Sequence, residues 1–110
     1  MKASLLTKLE TLTDRHEEVS ALLSDGETIA DQDRFRALSR EYAELEDVVR
    51  CYGLYSRVKS DLEEARQMLE DADPEVREMA QEEVETGGER LAELELELQA
   101  LMLPRDPMDS

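Results

Sequence analysis

The chain has 110 residues, enough for one domain, and carries 13 Lys and Arg against 29 Asp and Glu, for a net charge of −16. Nucleic-acid affinity comes largely from cations displacing counterions, so direct RNA or DNA binding by this chain is disfavoured. Apolar residues make up 40% of the chain and recur with helical period, which argues against disorder despite the charge.

Residues 4–23 read as a first helix. Leu5, Leu9, Leu12, His16, Val19 and Leu23 share one seam, and Leu6 and Leu22 widen it. His16 is the single histidine of the chain. It reads as a boundary residue covering the seam, because no second histidine exists to share a ligand or proton-transfer role. Met1–Lys8 holds only Leu5-Leu6 as an apolar run, too short for a signal peptide, and no stretch approaches transmembrane length.

Ser24-Asp25-Gly26 then reads as a stop, with Gly26 in the left-handed conformation that closes helices. A loop runs to Asp31, with Ile29 tucked back as an apolar anchor. Asp31 or Asp33 can cap the next helix.

The middle helix, about residues 33–70, carries a stripe through Phe35, Leu38, Tyr42, Leu45, Val49 and Tyr52. The stripe continues through Tyr55, Val58, Leu62, Ala65 and Leu69 after two successive steps of three. Such a slip overwinds a helical seam. Gly53 sits at the slip and weakens the helix by about 1 kcal/mol against alanine. The reading is one long helix with a soft point, or two helices meeting near Gly53. Unbroken, it would be about 57 Å long at 1.5 Å per residue, longer than a compact globule of this size accommodates. The fold expected is therefore all-α, an elongated antiparallel three-helix bundle of coiled-coil style, or four helices if the chain breaks near Gly53.

Cys51 is the single cysteine, so no internal disulfide can form. It reads as a small, partly buried residue of a cytosolic protein. Arg34, Arg36, Arg40, Arg50, Arg57 and Arg66 make this helix the least acidic element. They are expected to pair with acids four residues away, such as Glu44 or Glu70, or with the next helix.

Asp73-Pro74 is a boundary: proline suits the first turn of a new helix, with Asp73 as N-cap and Glu75 and Glu78 beside it. The third helix, about residues 74–103, has its seam at Val76, Ala80, Val84, Leu91, Leu94, Leu98 and Leu101. Met79 and Met102 lie beside it. Acids concentrate in residues 73–110, where the cations thin to Arg77, Arg90 and Arg105. Gly87-Gly88 interrupts the pattern, and Gly87 lands on the seam. The pair permits a kink, a close backbone approach, or only a tolerated weak spot. It is no phosphate loop, since no G-K-[ST] follows and no strand precedes. Pro104 and Pro107 end the helix, and Arg105–Ser110 reads as a linker at a domain boundary.

No catalytic, cofactor-binding or metal-binding residues are assigned. Carboxylate pairs such as Glu41/Glu44, Asp61/Glu64 and Glu82/Glu85 are inevitable in so acidic a helical chain and read as solvated faces. A di-metal bundle would need two Glu-x-x-His motifs, and the one histidine is not part of such a motif. No Ser, Cys or Lys has a base partner suited to nucleophilic catalysis. The chain is not expected to be an enzyme, nor to need a cofactor.

Three stretches point further: Arg15-His16-Glu17-Glu18-Val19, Arg34–Cys51 (RFRALSREYAELEDVVRC) and Arg77-Glu78-Met79-Ala80-Gln81. With the closing Leu103-Pro104-Arg105-Asp106-Pro107, they resemble the N-terminal region of the bacterial peptide chain release factor 1 family, in register from Met1. The resemblance implies a cytoplasmic protein of translation termination. Its full-length form reads UAA and UAG, promotes peptidyl-tRNA hydrolysis on the ribosome and is methylated. The family's Pro-x-Thr and Gly-Gly-Gln motifs do not occur here, so no codon-reading or catalytic residue carries over. Gly87-Gly88-Glu89 is no degraded Gly-Gly-Gln, and the glycine pair departs from the family's usual uninterrupted helix. The implied role of residues 1–103 is an interaction domain reaching toward the stalk base of the large subunit, through protein contacts. Stop codon and ribosomal RNA fall to the full-length protein, and no membrane is involved. The alternative is a free-standing coiled-coil scaffold or chaperone-like helical protein.

Overall fold

The computed structural model describes residues 1–103. Among them the fold is all-α, with four helices: α1 (Ala3–Leu23), α2 (Gly26–Ala30), α3 (Gln32–Met68) and α4 (Pro74–Leu101). The expected end of the last helix at Pro104 and the linker Arg105–Ser110 lie outside the described residues. Contacts gather into two compact units, one ending at Arg50 and the other starting at Cys51. Each is built on part of α3.

In the first unit, α1 buries Leu9 and Val19 almost completely. Leu5, Leu6, Leu12, His16, Leu22 and Leu23 are half-buried around them, as the seam predicts. Fully burying such a side chain is worth about 1.5–3 kcal/mol, which holds the helix down more than its propensity does. The segment after α1 is not the loop expected. Ser24 closes α1 in a right-handed conformation, its N–H donating to the Ala21 carbonyl at 3.1 Å, and no described glycine has a positive φ. Gly26 instead opens α2, because the extended Asp25 offers its carbonyl to the Ile29 N–H at 3.0 Å and winds the chain right-handed again. That extra turn faces Thr28 inward, fully buried, and leaves Ile29 54% exposed instead of anchored.

Asp31 caps α3, its Oδ1 accepting from the Arg34 N–H at 3.2 Å. The helix is unbroken through Gly53, which is exposed and where an added Cβ would meet nothing within 4 Å. The buried stripe differs from the one expected. It runs through Leu38, Val48, Cys51, Tyr55, Leu62 and Ala65, while Phe35 and Leu69 are exposed. Val48 and Cys51 take the places assigned to Val49 and Tyr52, so the successive steps of three fall between Leu45 and Cys51, ahead of Gly53. Packing selects between adjacent apolar residues that periodicity weighs alike.

In the second unit, Cys51–Met68 of α3 pairs with α4. Asp73 caps α4, its side chain accepting from the Glu75 N–H at 3.0 Å, and Pro74 opens the first turn. The Arg77 guanidinium also donates to the Asp71 carbonyl at 3.1 Å, tying the connection to the new helix. Cys51 meets Leu94, and further along α3 Leu62 meets Gly87. The order reverses along α4, so the two segments are antiparallel. Ala80, Leu94 and Leu98 are the fully buried residues of α4. Met79 and Leu101 are exposed.

Gly87-Gly88 neither breaks nor ends α4. Gly87 is the close approach: a Cβ there would stand 3.1 Å from Leu62 Cδ1, whereas Gly88 faces open space.

Candidate functional site

The carboxylates of the expected pairs do not share one environment. Glu44, Asp61, Glu64, Glu82 and Glu85 are exposed, as solvated faces require. Glu41 is half-buried and held by Arg15 of α1, with Nε donating to Oε2 at 2.7 Å and Nη2 to Oε1 at 2.8 Å. A fork-to-fork pair of this kind fixes geometry as well as charge. Arg15 also reaches Glu18 at 3.2 Å. The hydrogen bonds from Arg15 hold the Glu41 carboxyl below its ordinary value, against the opposing effect of desolvation. Sequence reasoning missed this pair. The signal available was only that Arg15 and Glu41 each flank a seam position, on segments 26 residues apart.

Two further ion pairs among the described residues are local: Arg50 with Asp47 at 2.8 Å and Arg90 with Glu93 at 3.5 Å. They join residues three apart, not the four expected, and are well exposed, so each contributes only tenths of a kcal/mol. Neither joins α3 to α4, as the sequence reading had anticipated for the α3 arginines.

One residue along from Arg15, the His16 ring stacks on Tyr42 at 4.5 Å between centroids. Its Nε2 is buried and finds no hydrogen-bond partner among the described residues, and the same is true of Thr28 Oγ1. The histidine thus covers the seam with its ring, stacked on Tyr42. Cys51 is 5% exposed, with Sγ 3.9 Å from the Leu94 carbonyl oxygen. Burial, then the nearby Glu97 carboxylate, pushes its thiol up from the ordinary 9.0. Among the described residues, no group of three or more His, Cys, Asp or Glu is arranged to hold a metal ion.

A concave surface lies in the second unit, a half-open groove of about 460 Å³. Val58, Leu62, Ala65 and Met68 of α3 supply apolar lining, and Gly87 of α4 adds bare backbone. Asp61, Glu64 and Glu83 stand at the edges with Arg90. A shallower recess in the first unit is lined by Ile29, Gln32, Phe35, Arg36 and Ser39.

No helix among the described residues is long and apolar enough to cross a membrane. Compared with known protein families, the chain matches the PCRF domain over residues 12–110. This is a release-factor domain, and it carries with it interaction with the ribosome in general. With nearly its whole length matched, the chain belongs to the PCRF domain family and has a release-factor-type role in translation termination.

Proposed function

We propose that the chain is the N-terminal helical domain of a release factor that reads UAA and UAG, and that it works by contact and not by catalysis. The observation that carries this reading is the PCRF match across residues 12–110. The finer assignment to UAA and UAG rests on the likeness of Arg34–Cys51 and its companion stretches to the release factor 1 family. In this reading residues 1–103 form the contact domain and residues 104–110 begin the linker. Codon recognition and peptidyl-tRNA hydrolysis belong to the full-length protein, in the cytoplasm. Exposed carboxylates on the helices favour a protein at the stalk base over ribosomal RNA as the surface touched.

The test is peptide release by the full-length protein from ribosomes programmed with UAA, UAG or UGA. Release at UAA and UAG is expected, with none from the 110-residue chain alone. Release at UGA in place of UAG would assign the protein to the sister class, and release by the 110-residue chain would overturn the non-catalytic reading.

A further inference from the structure

The second unit is a pair of antiparallel helices, and a helix pair has a furrow on each side. The groove described above is one such furrow. Leu62 and Ala65 lie at its floor, 4% and 2% exposed, while Met68 at its edge keeps 47% of its surface open. Gly87 adds only backbone to its wall, with Leu62 Cδ1 packed 3.1 Å from where a Cβ would stand. Along its edges stand the exposed carboxylates Asp61, Glu64 and Glu83. Among the described residues Arg90 is the one cation lining it, already 3.5 Å from Glu93.

This pairing of apolar floor and acidic edge selects the guest. A nucleic acid or an anionic bilayer would bring phosphates against three carboxylates. A second copy would bring a chain of net charge −16 against its like. A helix with one apolar face flanked by Lys and Arg satisfies both parts: its apolar side chains lie over Leu62, Ala65 and Met68, and its cations face Asp61, Glu64 and Glu83. We propose that this groove docks a basic amphipathic helix of a partner protein. The docking does not depend on which stop codons the full-length protein reads, so it can fail or stand separately from that assignment.

The test uses the 110-residue chain with ¹³C-labelled methyl groups. The probe is a Leu/Lys amphipathic peptide of about 18 residues, five helical turns, with a Leu/Glu peptide of the same pattern as control. The Leu/Lys peptide is expected to shift the methyls of Val58, Leu62, Ala65 and Met68, and the Leu/Glu peptide to shift none. Reversing the edge charges together (Asp61→Lys, Glu64→Lys, Glu83→Lys) should weaken binding at least about tenfold, as loss of charge complementarity does. Reversing Glu44 and Glu46 in the first unit should leave it unchanged. If the triple variant fails to fold, Met68→Lys at the exposed edge replaces it, with the same weakening expected. Shifts spread over other acidic faces, equal weakening by the Glu44/Glu46 reversal, or binding of the Leu/Glu peptide would each overturn the proposal.

Discussion

Arg15 and Glu41 meet side by side, with two parallel hydrogen bonds at 2.7 and 2.8 Å, and the next residue of each segment stacks as His16 on Tyr42. Polar fork and ring stack together fix the register of α1 against α3 within the first unit. A slip of either helix by one residue would separate both pairs.

Glu41 should therefore report on acid unfolding. Its folded pKa lies below the ordinary 4.5, so its contribution to stability is present above pH 4.5 and is lost as pH falls through the folded value. Glu41→Gln is expected to lower the urea midpoint at pH 7 and to flatten the fall in stability between about pH 5 and pH 2. Parallel pH curves for the two proteins would show that the pair contributes nothing.

The glycines give an ordered series. Gly53→Ala and Gly88→Ala add a methyl to open space and should each stabilise by about 1 kcal/mol through helix propensity. Gly87→Ala gains the same propensity but sets its Cβ 3.1 Å from Leu62 Cδ1. Crowding of that kind costs about 1–3 kcal/mol where the neighbour cannot yield. Leu62 lines an open groove and can yield in part, so the net change should fall below that of Gly88→Ala. Denaturation curves for the three variants check the order, and a Gly87→Ala gain equal to that of Gly88→Ala would refute the close packing.

Asp73 caps α4 through the Glu75 N–H, an exposed bond with a defined value. Asp73→Ala should destabilise by about 1 kcal/mol, and Asp73→Ser should recover most of it. Urea midpoints of the two variants decide the matter. No loss in Asp73→Ala would mean that Pro74 alone sets the start of the helix.

At high pH the second unit should weaken. Burial raises the Cys51 thiol above 9.0 and the Tyr55 hydroxyl above 10.0, each with help from a neighbouring carboxylate. Groups whose folded values are raised stabilise most below their unfolded values, and that contribution declines as pH climbs past 9 toward the folded values. Cys51→Ala should remove the earlier part of that decline. In the native protein at pH 8, a disulfide reagent should modify Cys51 at least about tenfold more slowly than in urea, since access requires opening.

Local chemistry was legible and distant chemistry was not. The Asp73-Pro74 boundary and the leucine seam of α1 depend on residues within a turn or two of one another, and the sequence reading placed them correctly. For the α3 cap it offered Asp31 or Asp33, and the structure chooses Asp31. The α3 stripe was off by one residue at Val48 and Cys51, because Val49 and Tyr52 fit the period equally well and only packing decides between them. The helix α2 spans Gly26–Ala30, too short to display a period, and Gly26 carries the same signature at a helix start as at a stop. The Arg15–Glu41 fork and the groove beside Gly87 join segments far apart in the chain, where spacing rules carry no information.

At residue 87 a methyl group is missing, and that absence works as a spacer setting. It lets the Leu62 side chain of the facing rod lie close against bare backbone, with Cδ1 3.1 Å from where a Cβ would stand. A single carbon at that point would press on Leu62, a residue that lines the slot, and so reshape it from one side.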